Sequence, residues 1–234
     1  MTHATGPRIP SKQEHLTDLE LARIAVDMET WPAEEVVRWS VSRFSEKICA
    51  TTSAADTVMI HLVHSVAPDV EFVFLDTGFH FAETLGTLQR ATARYSLRVR
   101  IQTPEADAPT LYTTNIDTCC GSRKVDTLAR AMVGRDAWLT GLRRADSSAR
   151  NATPIISRTA AGLIKICPIA TWTDSQVDAY IAEHDLILNP LLFDGYDSIG
   201  CSPCTSKVPV DAVTGERRAS RWAGSTKTEC GIHQ

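Results

Sequence analysis

The chain has 234 residues, 43% of them hydrophobic and 22% charged, and a formal net charge of −4. That length supports one sizeable core, the apolar content excludes wholesale disorder, and the charge excludes general nucleic-acid binding. No apolar run approaches the ~20 residues of a membrane helix, and the first residues lack the apolar stretch of a secretory signal, so the expected compartment is the cytoplasm.

Residues 1–14, with Gly6, Pro7 and Pro10, read as a flexible tail. Thr17 and Glu20 form a capping box that opens an amphipathic helix through about Met28, and a second helix is expected from Trp31 to about Phe44. Four short runs rich in Val, Ile, Leu and Phe follow: "KICATT", "VEFVFLDT", "LRVRIQT" and "DAWLTGL". Helical stretches such as 80–94 and 119–133 lie between them, and "LIKICPIA" is one more strand. Thr173 and Gln176 cap a helix to about His184. Strands alternating with helices predict an α/β fold, a parallel-type sheet with helices on both faces. Past Leu192 the chain turns to Gly, Pro, Ser, Thr and charge, which reads as loops and a mobile tail. The expected division is a tail over 1–14, one α/β domain over 15–204 and a mobile C-terminal tail over 205–234.

Ligands of open α/β sheets bind beyond the carboxyl ends of the strands. Three loops there carry suggestive residues: "TTSAAD" (51–56), "LDTGFHFAET" (75–84) and "GLRRADSSAR" (141–150). The last holds Arg143, Arg144 and Arg150, and "GERRASRW" adds Arg217, Arg218 and Arg221. Arginine forks match phosphate and sulfate oxygens, so two clusters point to a small polyanion.

Seven cysteines are too many for a reducing compartment to leave unexplained. Cys119 and Cys120 are adjacent, and Cys201 and Cys204 are spaced C-x-x-C. Two pairs make four soft ligands, suited equally to Zn²⁺ and to an iron–sulfur cluster, with two buried pairs as the plain alternative. Asp117 or Thr118 is the expected cap of a helix that begins at the adjacent pair, and Lys124 lies one turn beyond Cys120. Cys49 and Cys167, inside apolar strands, read as small core residues. Cys230 stands near the C-terminus in "ECGIH", flanked by Lys227 and His233, where an exposed thiol would oxidise readily.

Together "FLDTGFHFAET", "CCGSRK", "WLTGLRRADSSAR", "NPL", "GYDSIGCSPCT", "RRASRW" and "ECGIH" resemble the assimilatory sulfonucleotide reductases, in particular the iron–sulfur, adenylyl-sulfate reductase branch. The resemblance runs from about Ser40 onward. It implies an adenine nucleotide alpha-hydrolase, PP-loop-like fold and the thioredoxin-dependent reduction of adenosine 5′-phosphosulfate to sulfite and AMP in assimilatory sulfate reduction.

It also implies roles. Cys230 is the nucleophile, forming an S-sulfocysteine that thioredoxin or a similar dithiol resolves. Cys119, Cys120, Cys201 and Cys204 hold a [4Fe-4S] cluster. Lys124 lies near cluster and substrate. Arg218 and Arg221 belong to the sulfonucleotide site, with Arg143, Arg144 and Arg150 in a loop over it and His233 beside Cys230. Leu75, Asp76, Thr77 and Gly78 contact the nucleoside, and Thr51, Thr52 and Ser53 lie in a modified phosphate loop without its usual glycine and glutamate. Nucleic acid and membrane are not expected partners. The runners-up are a 3′-phosphoadenylyl-sulfate reductase, which typically lacks both cysteine pairs, an ATP-pyrophosphatase or tRNA-thiolating enzyme on the same fold, whose Ser-Gly-Gly-x-Asp-Ser is missing here, and a non-catalytic Cys₄ redox module, which leaves "ECGIH" without a purpose.

Overall fold

A computed structural model describes residues 16–208, 218, 220–222 and 225–233. The expected tail over 1–14 lies outside them, as do Arg217 and part of the expected C-terminal tail.

Six strands form one sheet: β1 (Ile48–Thr52), β2 (Phe72–Leu75), β3 (Val99–Gln102), β4 (Ala137–Leu139), β5 (Ile156–Arg158) and β6 (Ile164–Ile166), in the order β3-β2-β1-β4-β6-β5. All neighbours run parallel except β5 and β6. The antiparallel edge strand β5 departs from the sequence expectation; its three residues are too short to announce themselves as a strand.

Both faces of the central strands are buried, which explains their unbroken apolar runs. Ile48, Ala50 and Phe72 face a large core that includes Val36 and Val37 of α2 (Ala33–Phe44) and Ile60 and Val63 of α3 (Val58–Val66). Cys49, Val73 and Trp138 alternate to the other face. Burying side chains of this size contributes roughly 1.5–3 kcal/mol each. α1 (Asp18–Met28) packs on β5, and α4 (Ala82–Tyr95) places Leu88 against Ala54 and Phe74.

The predicted capping boxes are both present, at Thr17 with Glu20 and, opening α7 (Asp174–Glu183), at Thr173 with Gln176. The helix expected over 119–133 is instead α5 (Ile116–Cys120), a π-helical turn over Gly121–Val125, and α6 (Asp126–Ala131). Its cap is Asn115, whose side chain accepts from the Thr118 N–H, not Asp117 or Thr118. The cysteine pair therefore closes the first turn and precedes the π turn, a distortion frequent at functional sites. No helix among the described residues is long and apolar enough to cross a membrane.

Strand order reverses between β1 and β4, so the crevice at their carboxyl ends is where this architecture binds ligands.

Candidate functional site

A cleft of about 460 Å³ opens at that crevice, within the ~300–1,000 Å³ typical of small-molecule sites. β1 leads into its first wall. Thr51 donates to the Leu139 carbonyl (3.3 Å), Thr52 accepts from the Ala54 N–H (3.1 Å), and Asp56 accepts from the Val58 N–H (3.0 Å) at the start of α3. Ser53 joins Thr51 and Thr52 on the wall. With no glycine in this loop, Ala54 takes the left-handed conformation (φ 51°), which costs a non-glycine residue about 1 kcal/mol or more. Asn189, fully buried, holds the turn: its amide donates to Thr84 (3.0 Å) and the Ala54 carbonyl (3.4 Å).

β2 leads into the second wall. Leu75 and Thr77 line the cleft, while Asp76 and Gly78 shape the turn behind them. The Gly78 N–H donates to Asp76 (2.9 Å) and Gly78 takes a φ of 77°, a conformation that favours glycine. Thr77 meets Cys201 through Oγ1 and Sγ at 3.3 Å. His80 also lines the cleft; its Nε2–H donates to the Leu75 carbonyl (2.9 Å), Nδ1 is buried without a partner among the described residues, and burial holds the ring's pKa down.

Cys119, Cys120, Cys201 and Cys204 wall one small cavity with Lys124 and Trp222, so two segments 80 residues apart in sequence converge there. Among the described residues no group of three or more His, Cys, Asp or Glu is arranged to hold a metal ion. The chemistry of the donor set, four cysteines lining one cavity, still fits a thiophilic metal group. Burial pushes the Cys120 thiol up to about 11, against the pull of Lys124 and Lys227, so a bound cation would have to displace its proton. Lys124 lines both this cavity and the large cleft.

Arg123, which sequence reasoning passed over, binds the cysteine helix to the second wall. It donates to the carbonyls of Thr77 (3.0 Å), Ala108 (2.7 Å) and Pro109 (3.0 Å) and covers the Phe79 ring at 4.7 Å.

The arginines separate into distinct groups. Arg144 is not on the cleft: Glu29 takes its fork at 2.9 and 2.6 Å and the Thr153 carbonyl accepts at 2.8 Å. Arg143 is buried and bonded to Asp146 and Asp174, each at 2.8 Å. Arg150 pairs with Asp146 (3.1 Å) and Glu229 (2.6 Å), and Arg218 pairs with Glu229 (3.2 Å). Arg221 is 7% exposed and has no carboxylate partner among the described residues. Its guanidinium covers the Trp222 ring at 4.7 Å, its Nε is buried without a partner among the described residues, and burial holds its pKa down while nearby thiols pull it up. A buried cation facing a cleft, with no carboxylate partner among the described residues, suits an anionic ligand.

Cys230, Ile232 and His233 of the segment 225–233 line this cleft, Cys230 at 8% exposure. Lys227 pairs with Asp117, and Gly231 turns at φ 90°. Ile232 packs against the face of the sheet made by Cys49, Val73 and Trp138. The His233 ring stacks on Trp138 (5.7 Å, 5°), and Lys165 donates to the His233 carbonyl at 2.7 Å. Trp138 and Lys165 are register partners on β4 and β6, so the sheet itself carries this dock. Neither drew attention in the sequence; the only signal was that both sit at strand positions facing the same side. Burial holds the His233 ring well below the ordinary histidine value, with Arg150 and Lys165 adding to the effect.

The sequence profile of the phosphoadenosine phosphosulfate reductase domain matches residues 47–207. The chain is 43% identical over 235 residues to an adenosine 5′-phosphosulfate reductase of Streptomyces coelicolor, covering 94% of this chain and 98% of that one. It is 41% identical over 224 residues to one of Mycolicibacterium smegmatis, covering 92% and 94%. A crystal structure of phosphoadenylyl-sulfate reductase from Candida auris superposes with a TM-score of 0.73 at 29% identity, over 84% of this chain and all of that one.

Proposed function

The chain belongs to the phosphoadenosine phosphosulfate reductase domain family, and from that premise we propose that it reduces adenosine 5′-phosphosulfate to sulfite and AMP in sulfate assimilation. The observation that carries the reading is Cys230 held in a nucleotide-sized cleft that Arg221, without a carboxylate partner among the described residues, also lines.

The sulfonucleotide brings a phosphate and a sulfonate, and Arg221 and Lys124 are the cations facing the cleft that take no carboxylate among the described residues. They neutralise the anion and the charge that develops as its bridging oxygen departs. The Cys230 thiolate attacks the sulfonate sulfur. An S–S bond forms, the S–O bond to phosphate breaks, and AMP leaves with the electron pair, giving Cys230 S-sulfocysteine. A dithiol such as thioredoxin then attacks Cys230 Sγ, and sulfite leaves with the S–S electron pair. Its second thiol closes a disulfide and returns Cys230 as a thiol. Sulfur gains two electrons and the dithiol loses two.

Cys119, Cys120, Cys201 and Cys204 are the residues that would hold a [4Fe-4S] cluster, which when bound supplies a dense fixed charge beside Lys124. The four cysteines and the names of the two relatives favour adenosine 5′-phosphosulfate over its 3′-phosphorylated form.

Intact-mass measurement after anaerobic incubation with adenosine 5′-phosphosulfate tests this. Wild type should gain the mass of one sulfonate, Cys230→Ser should bind AMP but gain nothing, and the 3′-phosphorylated substrate should react more slowly. An adduct on Cys230→Ser would remove the nucleophile.

A further inference from the structure

Glu229 immediately precedes Cys230 and has a partnership that the reaction scheme does not use. Its carboxylate accepts from Arg150 Nε (2.6 Å) and Nη2 (2.8 Å) and from Arg218 Nη2 (3.2 Å). Both arginines lie at the cleft and are mostly buried. Burial alone would raise the Glu229 carboxyl, but Arg150 and the charges of Arg218 and Arg221 outweigh it and hold it low, so the group is ionised at neutral pH.

A carboxylate on two substrate-site arginines has two possible meanings: it plugs the anion site until substrate displaces it, or it clasps the tail in the conformation that reacts. Three observations favour the clasp. With the tail docked the cleft still measures about 460 Å³, so Glu229 does not fill it. Arg221 is left without a carboxylate among the described residues, so a cation remains for the substrate. The tail is held at independent points on either side, at Asp117 by Lys227 and at His233 by Lys165 and Trp138, so Cys230 is fixed from both directions.

We propose that Glu229 is a positioning residue that sets Cys230 in its attacking place by clasping Arg150 and Arg218, which thereby serve tail closure while Arg221 and Lys124 receive the substrate anion. The assignment rests on the reductase reading for its substrate, but the clasp itself does not depend on it.

The test uses the full cluster-loaded chain and Glu229→Gln, with Glu229→Asp as the conservative variant. Three quantities are read: the single-turnover rate of S-sulfo adduct formation by intact mass, the Kd for AMP, and the rate at which iodoacetamide alkylates Cys230. Loss of a charge-assisted bidentate pair should slow adduct formation about tenfold or more and speed alkylation by a similar factor. AMP affinity should stay within about threefold, and Glu229→Asp should recover part of both losses. An adduct rate within about threefold of wild type overturns the clasp, as does AMP binding that tightens while the adduct rate holds, which would make Glu229 a plug. If wild type forms no adduct while Glu229→Gln still accelerates alkylation, the reductase reading falls and the clasp stands.

Discussion

A Cβ added at Gly200 would lie 2.1 Å from Arg221 Nη2 and 2.3 Å from its Cζ. Glycine is needed there because the guanidinium lies flat on the backbone just before Cys201. Gly200→Ala should push Arg221 off its perch without unfolding the chain, since the clash is with the end of a flexible side chain. The expected result is AMP affinity weakened about tenfold with an unchanged circular dichroism spectrum. Unchanged affinity would take Arg221 out of the anion site. Arg144 gives the contrast, because its guanidinium is spent on Glu29 and Thr153. Arg144→Ala should leave AMP affinity alone and cost about 0.5–1 kcal/mol of stability in urea unfolding, the value of a partly exposed pair. A marked loss of affinity would bring Arg144 back to the cleft. In the sequence Arg143, Arg144, Arg150, Arg218 and Arg221 look alike. Their separation depends on which carboxylate lies opposite, and Glu29, Asp174 and Glu229 come from segments that only the fold brings near.

At the scale of elements, the π turn at Gly121–Val125 and the tail at 225–233 govern the site. Arg123 leaves that turn to hold the Thr77 carbonyl on the second wall and the Ala108 and Pro109 carbonyls of the loop after β3. Lys keeps the charge but has no fork, so Arg123→Lys should weaken AMP binding several-fold and lower iron per chain; full retention of both would make the clamp redundant. The tail carries its own pH dependence. His233 is docked neutral, with its folded pKa below the ordinary value, so its share of docking is complete above about pH 6.5 and is lost as pH falls below that. Glu229 is docked ionised, with its pKa lowered, so its share is lost only at more acid pH, below the ordinary carboxylate range. The protection factors of residues 225–233 against hydrogen exchange should therefore fall as pH drops from about 7 to about 5.5, and do so less in His233→Gln; protection factors that stay flat would mean that the ring's burial does not hold the tail. The capping boxes and alternating strands were readable because they are local signals. The tail read as loose because it is polar and rich in turn formers. Its order comes from Trp138 and Lys165, which no spacing rule connects to residue 233.

For the whole molecule, two long-range closures meet at one place. The 201–204 segment reaches the cysteine pair after three sheet strands have intervened, and the tail brings Cys230 beside Cys120. Anaerobic purification should yield about four irons and four acid-labile sulfides per chain with little zinc; one zinc and no sulfide would make the Cys₄ site structural. Stripping the metal should lower the Tm and loosen the second wall, because three buried cysteines and the half-buried Cys204 would then line their cavity without a cation. The α/β class and the strand-end location of the site followed from the pattern of runs, whereas the antiparallel β5 and the division of labour among the arginines did not.

The thiol of a cysteine only 8% exposed in the wall of a cleft can be reached by a nucleotide already inside but not by the active site of another protein. The two halves of the turnover therefore make opposite demands on the same nine residues. In the proposed reaction, sulfonate transfer should speed up as the tail is gripped harder, while resolution by a protein dithiol should slow down. Steady-state turnover should pass through a maximum as grip is varied, and a tighter tail than nature's would leave the enzyme stalled with its sulfonate aboard.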